Sequence, residues 1–295
     1  MWNLGGLSLW ALARNVSRDT HRNEIFERAS GLAFDFLLAL FSMLFILLAF
    51  FDFFTNLAVQ FRTSLLAYFA DFLPSLAFQL LRSTTEELAK KKPTEKMTIG
   101  IVVGLWLVSE SVVAIIQALN AAFRVTESRS WTRVRAIALG LSLAISCMFL
   151  LALSFVLVGN DFVNWLGAKL HLASTMILVW KALQWPTALV IVICAYALIY
   201  TFGPDLKDPH WHWITPGSVF GAVFWLAASV GFRLYLRWIN DYTLLFGSLG
   251  ALVILLVWLY VTGLAFLIGG EINANIERAA GRMHVADPVS PNLPV

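Results

Sequence analysis

Charge is scarce in this 295-residue sequence. Asp, Glu, Lys and Arg make up 13% of it, against about 25% in an average soluble domain. Hydrophobic residues make up 59%, and the mean hydropathy is +0.77. Such a chain cannot cover a water-facing surface with polar groups, so it reads as an all-α integral membrane protein. A net charge of only +3 supplies no concentrated basic face, which argues against a nucleic-acid partner. Cysteine is nearly absent. Cys147 and Cys194 lie in apolar runs and read as small buried hydrophobes, not as a disulfide or metal pair. Of five histidines only His210 and His212 are close, giving at most two ligands; no metal and no cofactor is expected. P-loop, G-x-S-x-G, H-E-x-x-H and TVGYG patterns are all missing, which argues against ATP-driven transport by this chain, hydrolase chemistry and a potassium-type filter. Nor do the first thirty residues form a cleavable signal: they are mostly polar and carry Arg14, Arg18, Arg22 and Arg28.

Long apolar runs are what the sequence has instead. Six are near the 20 residues a spanning helix needs: about 31–54, 98–119, 136–158, 177–202, 215–236 and 247–270. The fifth opens at Pro216, a good first-turn residue. The expected architecture is a six-helix membrane domain over 31–278, after a segment 1–30 and before a tail at 279–295 without fixed structure. Within the interfacial or outer segment 55–97, the stretch 57–81 is apolar but interrupted by Gln60, Arg62, Asp71 and Pro74, and reads as amphipathic helices at the interface or packed against the bundle, with a seventh span as the alternative. Arg124, Arg129, Arg133 and Arg135 sit in one short loop and four arginines in the N-terminal segment, whereas the following loop has only Lys169. By the positive-inside rule both termini are cytoplasmic. Arg14, Arg18 and Arg22 recur every four residues beside Leu9, Leu12 and Val16. They form a stripe that suits an interfacial helix on anionic headgroups or, more simply, an ordinary positive flank.

Polar residues inside the runs are costly and each needs an account. Glu110 lies about 18 Å along the second run at 1.5 Å per residue. It is too short to snorkel, and is a candidate for proton coupling or substrate contact. Asp35 is shallower and close to Arg28, which suggests an ion pair. Glu271, Asn273 and Asn275 follow the glycine pair Gly269 and Gly270. Glu271 alone reads as the residue where a helix leaves the membrane. With Asp35 and Asn120 expected at the same depth, the five together read as a polar cytoplasmic vestibule, provided the first, second and sixth helices adjoin. Lys181, Arg233 and Arg237 lie toward the outer face, where snorkelling explains them; the functional alternative is reception of a headgroup.

Gly100 and Gly104 precede Trp106 as Gly217 and Gly221 precede Trp225. This faint internal repeat would suit two inverted three-helix halves. Gly-rich faces of this kind close either an internal core or a homo-oligomer interface.

Several blocks resemble a known family: "ASGLAFDFLLALF", "LWLVSESVVAIIQALNAAFRVTESRSWTRVRAIAL", "FGPDLKDPHWHWITPGSVFGAVFWLAASVGFRLYL" and "YTLLFGSLGALVILLVWLYVTGLAFLIGGEINANIE". Over about 25–278 the chain is similar to the YihY/BrkB family of bacterial inner-membrane proteins. Tyr242, Gly247 to Gly250, Trp258 to Tyr260, Gly270, Glu271 and Asn273 carry the likeness most specifically. Asp35, Ser42 and the residues around Glu110 depart from it. The resemblance implies six spans with cytoplasmic termini. Some members once bore a ribonuclease label, which the absent nuclease chemistry argues against here. Others are linked to serum resistance or lipopolysaccharide precursors, which implies a transporter or flippase-like role with membrane lipids as partners.

Overall fold

The computed structural model describes residues 1–51, 82–83, 95–170, 174–206, 212–238 and 242–281. Among these residues the chain is helical, without strands. A short 3-10 turn at Leu4–Gly6 precedes α1 (Leu9–Arg22), α2 (Ile25–Phe51), α3 (Glu95–Phe123), α4 (Trp131–Leu170), α5 (Ser174–Phe202), α6 (Pro216–Trp238) and α7 (Tyr242–Ala279).

Local chemistry sets several of these limits. Ser8 caps α1 by accepting the amide of Ala11 through its hydroxyl at 3.2 Å. Glu24, at φ 53°, turns the chain sharply into α2. Thr215 and Ser218 exchange backbone and side-chain bonds of 3.0 and 3.1 Å around Pro216, a reciprocal cap on α6. Proline therefore opens α6 as its position in the sequence suggests.

Among the described residues, five helices are long and apolar enough to cross a membrane: Val102–Phe123, Trp131–Ala152, Ala182–Phe202, Pro216–Tyr235 and Leu252–Ala279. They correspond to the second to sixth runs. The first run begins in α2, but its side chains from 43 onward lie outside the described residues, as do the stretch 57–81 and the tail 282–295. Most residues of each spanning window face outward. Phe34, Leu38, Val102, Leu143, Phe149, Val190, Phe224, Leu234 and Val253 are among the apolar side chains left exposed. An exterior of this kind is suited to lipid and not to water.

α7 occupies the centre. It packs against α2, α3 and α6, so the first, second and sixth expected helices do adjoin. The main core joins Ile25, Ala29 and Leu32 of α2, Ile115 and Leu119 of α3, Ile199 and Tyr200 of α5, and Phe266 and Leu267 of α7. Close backbone approach explains the glycines here. A Cβ on Gly269 would lie 2.5 Å from the Tyr200 hydroxyl and 2.6 Å from the Gly217 carbonyl oxygen, and one on Gly217 would collide with Gly269 and Asn273. Gly269 and Gly270 thus do not end the helix. α7 runs through them to Ala279, 38 residues in all, or about 57 Å at 1.5 Å per residue.

The N-terminal region packs on the bundle: α1 lies on the end of α7, with Leu12 and Val16 packed on Ile272 and Ile276. And α2 starts at Ile25, ahead of the apolar run, because Ile25 and Ala29 are already buried in the core.

Candidate functional site

The starts of α2, α4 and α6 and the ends of α3, α5 and α7 meet at one end of the bundle, and three groups of polar side chains tie them together there. The first centres on Asp19 of α1, whose side chain is only 2% exposed. Its Oδ1 accepts from Arg124 at 3.0 Å and its Oδ2 from Arg278 at 2.7 Å. Arg278 also donates to the carbonyl of Ala122 at 2.7 Å. Beside them Glu271 is fully buried. Its Oε1 accepts the side-chain amide of Asn23 at 2.5 Å, while Oε2 has no hydrogen-bond partner. Burying a carboxylate so incompletely satisfied costs a few kcal/mol, and such a cost is characteristic of functional positions.

Asn273 forms the second group. Its Oδ1 accepts the amide of Gly217 and its Nδ2 donates to the Thr215 hydroxyl, both at 2.9 Å. One amide side chain thereby pins the start of α6 to α7. Asn275 is buried nearby and donates back to the Glu271 carbonyl at 3.0 Å. A cavity of about 10 Å³ is lined by Phe123, Tyr200, Thr201, Thr215, Asn273 and Glu277, among others; it has room for about one water molecule.

The third group holds the loop between α3 and α4. Asn120 donates to Glu127 at 2.9 Å and accepts the amide of Asp205 at 2.8 Å. Arg129 makes two 2.7 Å bonds to Glu127, lies 3.5 Å from Asp205 and donates to the Gly203 carbonyl. The hydrogen bonds from Arg129 hold the Glu127 carboxyl down at about 2, and Glu127 in turn raises Arg129.

Glu271, Asn273, Asn275 and Asn120 therefore share one end of the bundle, but as donors and acceptors in a closed network and not as the lining of an open vestibule. Asp35 is not among them. Asn23, not Asp35, is the α2-side partner of Glu271. Asp35 lies twelve residues further along, about 18 Å at helical rise, where its carbonyl accepts from Ser111 at 2.9 Å. The expected pair of Asp35 with Arg28 is also absent: Arg28 turns back and caps the Asn23 carbonyl at 3.0 Å.

Glu110 is paired. Arg135 of α4 donates to it at 2.6 Å and to Ser109 at 3.0 Å. The guanidinium carbon lies 4.2 Å from the Trp106 ring centroid and 5.6 Å from that of Trp131. The Glu110 side chain remains 49% exposed at the outer surface of the bundle. Arg233 is exposed on α6; the side chains of Lys181 and Arg237 lie outside the described residues. Trp106 and Trp225 do different work, since Trp225 donates to Thr262 of α7 at 3.2 Å. The surroundings of Gly100 lie outside what is described, so the faint repeat stays an expectation of the sequence.

Asp19, Asn23, Arg124 and Arg278 escape the sequence reading because each looks like a flank of a span. The i, i+4 stripe drew attention to the arginines of α1, whereas its one buried charge is the aspartate on the face with Leu12 and Val16.

Comparison with known proteins places these features in context. The family model described as virulence factor BrkB matches residues 16–293. The putative ribonuclease-like protein YfkH of Bacillus subtilis is 28% identical over 253 residues, 85% of this chain and 90% of the relative. A UPF0761 membrane protein of Idiomarina loihiensis is 26% identical over 216 residues, 72% of this chain and 71% of the relative. Another, from Vibrio cholerae, is 33% identical over 85 residues, 29% of this chain and 28% of the relative. No solved structure matches.

Proposed function

This chain belongs to the virulence factor BrkB family, and from that membership we propose that it is a multi-pass inner-membrane transporter for a lipid or lipid-linked substrate, with cytoplasmic termini. The observation that carries the reading is the buried polar network at one end of an otherwise apolar bundle. Glu271, Asn273 and Asn275 are buried on the central helix, where apolar residues would pack at less cost. Polar groups retained at that cost suit a path that opens and closes around a polar headgroup. The apolar exterior suits a substrate whose tails stay in lipid. With no P-loop in the sequence, an ion gradient or the substrate's own gradient drives the movement. We read the chain as no enzyme, and the ribonuclease wording of one relative's name finds no support in its residues.

The Asp19–Arg124–Arg278 group, with Glu271 and Asn273, forms the cytoplasmic closure of this path. A small-solute exporter would use the same closure. A non-transporting envelope scaffold is the second reading, favoured by the near-complete hydrogen bonding and the single-water cavity. Translocation of labelled lipid in proteoliposomes separates these readings. Flux in the wild type that falls at least tenfold in Glu271→Gln and Asn273→Ala supports the transporter. Flux of a small solute without lipid movement supports the exporter. Absence of both, in protein that remains folded, leaves the scaffold.

A further inference from the structure

Asp19 occupies a position made for an anion. Two guanidinium groups, brought together by the ends of α3 and α7, each take one of its oxygens, at 3.0 Å from Arg124 and 2.7 Å from Arg278, while the exposed Arg18 of α1 itself stands further off at 3.8 Å. Yet the match is incomplete. Arg124 Nε is buried and has no hydrogen-bond partner. A carboxylate offers two oxygens in one plane, whereas a phosphate offers more in a tetrahedron. Converging arginines with a donor to spare therefore suit a phosphate better than they suit Asp19. The Arg124 backbone sits at φ 56°, a conformation few non-glycine residues adopt, at the point where its side chain meets Asp19.

The element that supplies Asp19 is also the one most lightly held. α1 rests on α7 through the small cluster of Leu12, Val16, Ile272 and Ile276, with Leu4 and Leu7 beside it. Trp2, Leu9 and Trp10 are 62%, 75% and 72% exposed. Charge narrows the ligand. With Asp19 withdrawn, the place between Arg124 and Arg278 lacks one negative charge. That complements a phosphodiester, which carries one negative charge, better than a phosphate monoester or free phosphate.

We propose that Arg124 and Arg278 form a binding site for a phosphodiester headgroup, and that Asp19 of α1 is its internal stand-in, closing the site until α1 moves away. The proposal rests on the transport reading for the source of the headgroup, but its test does not need transport. Purified full-length protein in detergent is titrated with water-soluble dihexanoyl phosphatidylglycerol and, separately, with inorganic phosphate. The expected result is that Asp19→Asn binds the short-chain lipid at least tenfold more tightly than wild type, binds phosphate more weakly than the lipid, and loses the gain when Arg278→Gln is added. Should Asp19→Asn fail to fold, Asp19→Glu takes its place: the longer carboxylate fits the clamp less well, and the gain is smaller but still abolished by Arg278→Gln. Equal binding by wild type and the Asp19 variant overturns the proposal, as does a gain that survives loss of both arginines. Phosphate binding as tight as the lipid's overturns the phosphodiester assignment. Lipid translocation without this binding, or binding without translocation, tells the failure of one reading from that of the other.

Discussion

Asn273 and Asn275 are two residues apart on α7, equally polar and both buried, yet they differ in what they hold. Asn273 bonds to Thr215 and Gly217 of another helix, whereas Asn275 bonds only to the carbonyl of Glu271 in its own. Replacing Asn273 by Ala strands the buried amide of Gly217 and removes one of the two bonds to the Thr215 hydroxyl, at about 1–3 kcal/mol. Asn275→Ala removes one local bond and should cost about 1 kcal/mol or less. Denaturant unfolding in mixed micelles checks the order, and equal losses would contradict the clamp. A similar contrast holds at Glu110. Arg135→Gln leaves Glu110 and Ser109 without their donor, yet Glu110 is half exposed, so the loss is limited to about 1–2 kcal/mol. In the double variant with Glu110→Gln part of that loss should be recovered, and strict additivity in the four-protein cycle would show that the pair does not interact. At this scale the sequence was legible in kind but not in partnership. That Glu110 needed explaining followed from its depth, and that Glu271 did followed from the polar residues expected beside it. That Arg135 answers one and Asn23 the other depends on how helices cross, and neither spacing nor composition contains that information.

Helices themselves were easier to read, because an apolar run of twenty residues has few alternatives in a membrane. Their ends were not. α4 and α7 extend to 40 and 38 residues, well beyond the apolar runs; α7 does so because the polar residues of its last turns find partners in neighbouring elements and so have no reason to unwind. Gly269 and Gly270 close the sixth apolar run without ending its helix: glycine often ends helices in water, but between packed helices it serves close approach. Gly217→Ala should therefore push α6 off α7 and destabilise by about 1–3 kcal/mol. Gly140→Ala in α4, where a Cβ meets nothing within 4 Å, should be neutral or up to about 1 kcal/mol stabilising. A stabilised Gly217→Ala would refute the contact. The loop between α3 and α4 offers a pH test. Glu127 ionises at about 2 in the folded protein against 4.5 for an unperturbed glutamate. Its contribution is thus complete above about 4.5 and fades as pH falls toward 2. Pepsin cleavage within residues 124–130 should rise across that window in the wild type relative to Glu127→Gln, whose loop lacks the bond at every pH. A constant ratio between the two would mean that Glu127 does not secure the loop.

For the molecule as a whole, the decisive relation is that the two ends of the described chain meet. A Cβ on Gly5 would lie 2.7 Å from the carbonyl oxygen of Ile276 and 2.9 Å from the Cβ of Ala279, so the turn before α1 sits on the last turn of α7. A chain whose ends share a side crosses the membrane an even number of times. Five helices qualify as spans among the described residues, and α2 runs from that same end for 27 residues, about 40 Å at helical rise and longer than the hydrocarbon core. Six crossings follow if α2 is one of them and 57–81 is not. The proposed topology puts the shared end in the cytoplasm, the side on which the positive-inside rule expects Arg124, Arg129, Arg133 and Arg278. Single cysteines at Trp2, Ser128 and Gly281, in a background with Cys147 and Cys194 replaced, should all react with a membrane-impermeant maleimide only after cells are opened. A cysteine at residue 57–81 that labels in intact cells, at whatever position, adds the opposite side. Labelling of Trp2 and Gly281 from different sides would break the contact between the first turn and the last, and with it the closure that joins Asp19 to Arg278.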